Sequence, residues 1–332
     1  MIHVEDKTLA LPDGRFLAYA DNGNTSSSSV VLYLHGGFSV GDASRLPRVL
    51  AEKTIHFVAP SLPGWGKSSP IIHAAAPPAS YATTLAADIT ALITHLHPNT
   101  TSLRLYICSH SFGTVPAQIL YGLPHDVFPL GRQIAALVLL APLSPPHCHK
   151  AYAKKMTWQA YLTSGPPARY IPFNLVMRVL SVCMATQFAK ESSAEAVIRN
   201  SMASTMVEEE REMFAPWREE HGVGEGQFER EMGKNVVRSV AQTWQGFLDM
   251  PTIYHSGWGG FDPQNIATSC PVLVVDSTDD DMAPTAMAQW LADTYKSAEL
   301  KSIPGSHLSS FFYLEDIWER VFELESSFTA VN

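Results

Sequence analysis

The sequence predicts an α/β protein in which a mostly parallel sheet carries helices on both faces. Six short, continuous apolar runs each have the length and composition of a strand buried on both sides. Helical patterns lie between them, and strands that alternate with helices form parallel sheets. A chain of 332 residues, 46% of them hydrophobic, can bury the core that such a sheet requires. The six runs are residues 30–35, 55–60, 103–109, 134–142, 271–276 and 298–303.

A hairpin precedes the first of these runs. Residues 7–23 contain two strand-like stretches around Asp13-Gly14, a dipeptide typical of a tight hairpin turn. The hairpin brings the predicted sheet to eight strands. Among the helices, residues 81–97 place two Leu and two Ile side chains on one face. Residues 284–295 begin with a proline, which suits the first turn of a helix.

Residues 145–250 interrupt this alternation with several helical stretches and no clear buried strand. Eight of the eleven methionines lie within residues 151–250, together with Trp158, Trp217 and Trp244. Methionine suits irregular, adaptable apolar walls, although these methionines could equally serve only to attach the segment to the core. We therefore expect a helical insertion between the fourth and fifth parallel strands.

The segment "LYICSHSFGTVP" has the pattern of a strand-to-helix turn that exposes a nucleophile. The residues two before and two after such a nucleophile must be small. Around Ser111 they are Ser109 and Gly113, whereas around Ser109 one of them would be Ile107, which would clash. Ser111 is therefore the candidate nucleophile. His110 cannot be its base, because the side chain of His110 leaves the turn in a different direction. The alternative is a buried strand that merely ends in small polar residues.

A nucleophilic serine needs a base, and the base needs an acid to orient it. His307 follows the last predicted strand on a glycine-bearing loop, at the edge where open α/β sheets meet their ligands. Most single histidines lie on the surface, or in the core with their hydrogen bonds already made. His307 is distinguished from them by its position after a strand. The strand at 271–276 leads into four carboxylates, one of which would complete the order Ser, Asp, His. They are Asp276, Asp279, Asp280 and Asp281.

Acyl transfer also requires donors for an oxyanion. "HGGF" at residues 35–38 follows the first parallel strand, and its flexible backbone could aim the amide of Gly37 or Phe38 at a reacting carbonyl. The amide of Phe112, directly after the candidate nucleophile, would be the second donor. The alternative is a tight turn that simply needs glycine.

Taken in order, these segments resemble the α/β-hydrolase superfamily, in particular its serine-nucleophile branch with a helical cap. The resemblance rests on "LYLHGGF", "PSLPGWGKSSP", "CSHSFG", "PVLVVDSTDDDMAP" and "IPGSHLSSF". Members commonly carry the triad acid four residues before the proline of the fourth segment. That spacing from Pro284 implies Asp280, with Asp279 as the fallback.

The resemblance also implies the division of the chain and marks three departures. Residues 1–145 and 251–332 would form the core domain, and residues 146–250 the cap. The departures are serine at position 109, where glycine is usual, serine at position 61, where an acid is usual, and Pro116 early in the helix after the turn.

The sequence thus predicts a serine hydrolase that cleaves an ester, lactone, thioester or related carbonyl bond through an acyl-enzyme. A non-hydrolytic lyase or cyclase on the same fold and a ligand-binding receptor with a vestigial triad are the alternatives. The methionine- and tryptophan-rich cap favours an apolar small-molecule substrate, and no cofactor or metal is expected. The candidate substrate-binding residues are Trp158, Met177, Trp244 and Trp258.

Charge and cysteine content bear on partners and location. The net charge of −9 argues against nucleic acid and against stable membrane association. Four cysteines without metal-ligand spacing fit a reduced compartment, and the first residues lack the pattern of a secretory signal. We expect a cytoplasmic protein, and the sequence leaves its oligomeric state open. The cysteines are Cys108, Cys148, Cys183 and Cys270.

Overall fold

An eight-stranded sheet forms the centre of the computed structural model, which describes residues 3–71 and 79–331. All eight predicted strands are present within one or two residues of the expected bounds. The strands are β1 Lys7–Ala10, β2 Phe16–Asp21, β3 Ser29–Leu34, β4 His56–Pro60, β5 Arg104–His110, β6 Ile134–Leu140, β7 Val272–Ser277 and β8 Ala298–Ile303.

The strands follow the order β1-β2-β4-β3-β5-β6-β7-β8 across the sheet. The first two form the predicted antiparallel hairpin, β2 also runs antiparallel to β4, and all other neighbours are parallel. The prediction of a mostly parallel eight-stranded sheet is confirmed. In parallel strands the carboxyl ends lie at the same edge, so the loops after β3, β5, β7 and β8 meet there.

Twelve α-helices are found in the described residues, and seven of them lie between β6 and β7. The predicted helices at 81–97 and 284–295 correspond to the second and eleventh. The helices are α1 Arg48–Glu52, α2 Ala79–Leu96, α3 Thr114–Gly122, α4 Trp158–Ser164, α5 Pro166–Tyr170, α6 Leu175–Ala185, α7 Glu191–Thr205, α8 Glu208–Glu220, α9 Gln227–Val240, α10 Gln245–Tyr254, α11 Thr285–Thr294 and α12 Leu314–Val331.

Apolar side chains alternate between the two faces of the sheet and form a separate core on each. Along β5, Ile107 packs with α2 and α3 on one face, and its neighbours Tyr106 and Cys108 pack with α1 and α12 on the other. Such alternation with burial on both sides requires helices on both faces, as predicted.

The seven helices of the insertion, α4 to α10, form two groups, α7 to α9 and α4 to α6 with α10. α7, α8 and α9 enclose a cluster in which Met202, Met206 and Phe228 pack against Phe312, a residue that lies just after the β8 loop. α10 packs against α4, α5 and α6. The insertion is present where the sequence predicts it, and the bounds of cap and core at 146, 250 and 251 remain a prediction.

Candidate active site

Ser111 lies at the turn where β5 passes into α3. β5 ends at His110, residues Ser111–Gly113 form a single helical turn, and α3 begins at Thr114. The φ angle of Ser111 is 53°, in the left-handed region that a non-glycine residue occupies only when its surroundings hold it there. The turn therefore presents the Ser111 side chain at the carboxyl edge of the sheet.

The structure changes the reason for the small residue at Gly113. A side chain there would collide with the carbonyl oxygens of Leu34 and His35 at the end of β3. In a turn of this kind the residues two before and two after the exposed side chain are expected to crowd each other, which would set Gly113 against Ser109. Glycine is needed at position 113 for a different reason, because the turn approaches the end of β3.

Ser109 occupies the position where the resembled family usually has glycine. Its side chain is fully buried, and its hydroxyl donates a hydrogen bond of 3.3 Å to the carbonyl of Val138 on β6. The sheet therefore accommodates and satisfies the extra hydroxyl. Ser109 is held away from any role as a second nucleophile.

Ser111, His307 and Asp280 form a continuous hydrogen-bonded chain. The Nε2 atom of His307 lies 2.7 Å from Oγ of Ser111, and its Nδ1 atom lies 2.7 Å from Oδ2 of Asp280. Because a carboxylate only accepts, this arrangement assigns the proton to Nδ1 and leaves Nε2 free to accept the proton of Ser111. Asp280 and Ser111 are 27 and 196 positions from His307 along the chain, so it is the fold that brings the three residues together.

Asp280, among the four candidate acids, is the one that contacts His307. Its second oxygen, Oδ1, accepts hydrogen bonds from the amides of Met282 and Ala283 at 2.8 and 2.9 Å. Burial raises the pKa of the Asp280 carboxyl, but the charge of His307, its hydrogen bond and the two amides together hold the pKa below its usual value. Asp280 therefore stays ionised, as an orienting acid must.

The neighbouring carboxylates have other surroundings. Asp279 is exposed and accepts a hydrogen bond from the hydroxyl of Thr278, and Asp276 accepts one from Ser302. Asp281 is exposed. The fallback Asp279 is thus placed outside the chain of hydrogen bonds.

His110 supports the loop that carries His307. Its Nε2 atom lies 3.0 Å from the carbonyl oxygen of His307, and the two rings are 5.0 Å apart. Burial, followed by the charge of His307, lowers the pKa of His110 to about 3, so the ring is neutral at ordinary pH. A neutral ring can donate its one proton to the carbonyl, and His110 does not contact Ser111 as a base would.

The "HGGF" loop lies opposite Ser111. A side chain on Gly36 would come within 3.1 Å of Cβ of Ser111, so the backbone of this loop approaches Ser111 closely. Phe38 has a φ angle of 54°, and the amide of Phe112 has no acceptor inside its own helical turn because it is the second residue of that turn. Gly36 thus brings the loop against Ser111, and the oxyanion roles of Gly37, Phe38 and Phe112 stay a prediction.

His35, which the sequence analysis did not single out, fixes this loop. Its Nε2 atom accepts a hydrogen bond from the amide of Leu62 at 2.9 Å, and its Nδ1 atom donates to the carbonyl of Gly36 at 2.7 Å. Burial lowers the pKa of His35 to about 4, which keeps the ring neutral and able to do both. The histidine of "HGGF" was the signal that could have revealed it.

A carboxyl group lies beside Ser61, the residue that stands where the resembled family usually has an acid. The hydroxyl of Ser61 donates a hydrogen bond of 2.6 Å to the carboxyl group of Glu5, a residue that precedes β1 in the chain. Glu5 also accepts from the amide of Lys67 at 2.8 Å. The loop after β4 is therefore held by a carboxyl group from the beginning of the chain, which spacing around Ser61 could not show.

The four candidate substrate-binding residues are placed differently. Trp244 stacks on Phe188 and contacts Phe38, so it borders the "HGGF" loop. Trp158 is 70% exposed at the start of α4. Only Trp244 is brought to the loop facing Ser111.

Met177 and Trp258 belong to the interior. Met177 is buried and lines a small apolar cavity with Leu162 and Pro251. Trp258 is 1% exposed, and its indole nitrogen donates to the carbonyl of Tyr254. The contacts of these two residues are those of core side chains and give no support to their predicted role.

Residues 3–71 and 79–331 contain neither a candidate metal site nor a candidate membrane span. In that part of the chain, no three or more His, Cys, Asp or Glu side chains are grouped so that they could hold a metal ion. No described helix combines the length and the apolar character needed to cross a membrane.

This order of eight strands, with Ser111, His307 and Asp280 meeting at the carboxyl edge, is typical of alpha/beta hydrolase folds. The sequence profile of the alpha/beta hydrolase family matches residues 31–324, and the chain belongs to that family. A search of curated proteins gives no match.

Solved structures of similar fold cover nearly the whole chain at low identity. A thermophilic esterase from Thermogutta terrifontis is 17% identical, with a TM-score of 0.55 over 99% of this chain and 98% of its own. An esterase from Exiguobacterium antarcticum is 15% identical, with a TM-score of 0.57 over 97% and 99%. The enol-lactonase from Burkholderia xenovorans is 14% identical, with a TM-score of 0.57 over 96% and 100%. At these identities the likeness concerns the fold.

Proposed function

We propose that the protein is a serine hydrolase that cleaves an ester, lactone or related carbonyl bond of an apolar small molecule. The observation that carries the proposal is the hydrogen-bonded chain from Ser111 through His307 to Asp280, with 2.7 Å at both contacts. The esterases and the enol-lactonase of similar fold support the choice among carbonyl substrates.

In the first half of the reaction, Nε2 of His307 takes the proton of Ser111 as its oxygen attacks the carbonyl carbon. The amides of Phe112 and of Gly37 or Phe38 stabilise the negative charge that develops on the carbonyl oxygen. The protonated His307 then gives its proton to the leaving alkoxide, and the acyl group stays on Ser111. In the second half, His307 removes a proton from water as the water oxygen attacks the acyl-enzyme. The bond to Ser111 then breaks, His307 returns the proton to the Ser111 oxygen, and the acid is released.

An apolar substrate fits the aromatic side chains around the "HGGF" loop. The ring of Phe38 contacts Trp65, Phe188, Trp244 and Phe247, with centroid distances from 4.8 to 6.2 Å. We infer that the acyl or alcohol group of the substrate lies against this cluster, with the cap at 146–250 as its outer wall. The cytoplasmic location stays a prediction of the sequence.

Labelling with a fluorophosphonate tests the proposal, since this reagent phosphonylates only an activated serine. We expect a single covalent adduct on the peptide that contains residues 105–116, with fragment ions that assign it to Ser111. Ser109→Ala is the matched control and should label at the wild-type rate, because the hydroxyl of Ser109 contacts only Val138. An unlabelled wild-type protein, or an adduct at another serine, would contradict the assignment.

Hydrolysis can be separated from lyase or cyclase chemistry once a substrate has been found. A hydrolase incorporates one oxygen atom from labelled water into the acid product, which mass spectrometry detects. A product free of the label would favour the lyase or cyclase.

A further inference from the structure

Residues 150–190 concentrate positive charge on the surface of the insertion. They contain six of the 23 Lys and Arg residues and none of the 32 Asp and Glu residues. All six are exposed. The segment thus carries +6 within a chain of net charge −9. The six are Lys150, Lys154, Lys155, Arg169, Arg178 and Lys190.

The same segment exposes apolar and aromatic side chains. Of ten large apolar side chains that are well exposed in the described part of the chain, seven lie here. Phe173 is 86% exposed and Tyr170 is 76% exposed. The seven are Trp158, Tyr161, Tyr170, Phe173, Leu175, Val179 and Val182. Aromatic and aliphatic groups in such number are unusual on a surface that contacts only water.

The seven apolar side chains lie on α4, α5, α6 and the turn between α5 and α6, and we call the exposed surface of these elements the α4–α6 face. Leu175, Val179 and Val182 are four and three residues apart, so they lie on one face of α6. The helices α4, α5 and α6 and the turn at Pro172–Asn174 all contact α10. α10 is therefore their common inner neighbour, and the exposed side chains point away from it.

We propose that the α4–α6 face docks reversibly on an anionic lipid surface. Aliphatic and aromatic side chains among lysines and arginines are the composition of surfaces that insert into the lipid headgroup region. A second copy of the chain is a poor occupant, because two such segments would oppose positive charges with positive charges and would offer no acidic side chain to pair with them. This proposal goes beyond the proposed hydrolysis. The net charge of −9 argues against stable membrane association, but residues 150–190 carry cations and no acidic residue, so this segment can bind an anionic surface reversibly.

Docking through this face would also place the lipid surface near the candidate active site. α10 lies under the face, and its residue Met250 lies against Gly37 of the "HGGF" loop. Asn174 ties the turn between α5 and α6 to α10 through a hydrogen bond of 2.7 Å to the carbonyl of Leu248. An apolar substrate dissolved in the lipid would thus have a short path to Ser111.

Vesicle sedimentation tests this proposal. We expect the protein to sediment with phosphatidylcholine vesicles that contain phosphatidylserine, and not with vesicles of phosphatidylcholine alone. The double substitution Lys154→Gln, Lys155→Gln should lower the partition coefficient roughly tenfold or more, since each cation near an anionic surface adds to binding. Val179→Ser with Val182→Ser should lower it as well. Lys53→Gln with Lys234→Gln, at exposed positions outside the face, is the matched control and should have little effect.

Three results would overturn the proposal. They are the absence of binding to phosphatidylserine vesicles at low salt, equal loss in the control pair, and a dimer in solution that Val179→Ser with Val182→Ser dissociates. The last result would assign the face to a second copy of the chain.

A second, independent observation concerns Glu210 on α8. Its side chain is 1% exposed, and its carboxyl group accepts three hydrogen bonds. The donors are the amide of Ser306 at 3.0 Å, the hydroxyl of Ser306 at 3.0 Å and the hydroxyl of Ser309 at 2.6 Å. A carboxyl group of the insertion is therefore buried against the loop after β8.

These contacts surround His307. Gly305 allows the approach, because a side chain there would come within 3.0 Å of the Glu210 carboxyl carbon. On the opposite side, His110 bonds the carbonyl of His307 itself. The backbone around His307 is thus held by the sheet on one side and by the insertion on the other.

We infer that Glu210 is a positioning residue that sets the geometry between His307 and Ser111, an inference that rests on the proposed function. A misplacement of a catalytic group by about 1 Å can cost roughly 100-fold in rate. We therefore expect Glu210→Ala to lower kcat on a p-nitrophenyl ester roughly 10- to 100-fold with little change in KM. Glu210→Gln, which keeps one acceptor oxygen, should recover part of the loss.

The exposed neighbour Glu209 offers the matched control, and Glu209→Ala should keep the wild-type kcat. The rate of fluorophosphonate labelling separates the two inferences. A wild-type protein that does not label overturns the proposed function and the role of Glu210 together. A folded Glu210→Ala protein that labels Ser111 at the wild-type rate overturns the positioning role alone.

Discussion

Replacing Ser111 by alanine is expected to lower kcat/KM for a short p-nitrophenyl ester by about four orders of magnitude or more. Loss of the nucleophile from a hydrolase triad removes the covalent route entirely, and only binding and oxyanion stabilisation remain. The Ser111 side chain contributes little to the fold, because its hydroxyl bonds only to His307. Alanine also carries a Cβ atom, so the φ angle of 53° is no less accessible to it than to serine. The expected result is thus a folded and inactive protein.

Ser109→Ala makes this measurement specific to one serine. It removes the same group two positions away, and the hydroxyl that it removes donates only to the carbonyl of Val138 on β6. We expect its kcat/KM to stay within tenfold of the wild-type value. Full activity in Ser111→Ala, or equal losses in the two variants, would show that Ser111 is not the nucleophile. Circular dichroism and thermal melting of each variant establish that the comparison is made between folded proteins.

The arrangement of strands could be predicted from sequence because parallel strands buried on both faces are continuous apolar runs. Burial of this kind leaves a local signature, and β3 through β7 carry it, whereas the edge strand β8 is only half-buried. Ser111 and His307 could be predicted because each follows a predicted strand at the carboxyl edge of the sheet. The choice of Asp280 among four carboxylates needed the family resemblance, and its contact with His307 gives the physical reason.

Residues whose role depends on distant partners could not be identified in this way. Glu210 lies in a run of three glutamates that reads as a solvated helix face, and only the approach of the β8 loop buries it. Trp244 and Trp258 look equivalent in the sequence, but one borders the "HGGF" loop and the other packs in the core. The net charge of −9 likewise hides a segment of opposite sign.

Asp280→Asn is expected to lower kcat by roughly 10⁴-fold, a loss of the size seen when a triad acid of this kind is replaced by its amide. The amides of Met282 and Ala283 donate to Oδ1 of Asp280, so the oxygen of an asparagine would be held at that position. Its NH₂ group would then face Nδ1 of His307. Since that group donates, His307 would have to carry its proton on Nε2, where it could no longer accept the proton of Ser111.

Asp279→Asn is the matched control, because the exposed carboxyl group of Asp279 bonds only the hydroxyl of Thr278. It should keep kcat within about threefold of the wild-type value. Because the defect in Asp280→Asn lies in the tautomer of His307, strong base should restore part of the rate by ionising Ser111 without the histidine. A loss in Asp279→Asn as large as that in Asp280→Asn would contradict the assignment, and so would wild-type activity in Asp280→Asn. Either result would mean that the 2.7 Å contact between Asp280 and His307 does not orient the base.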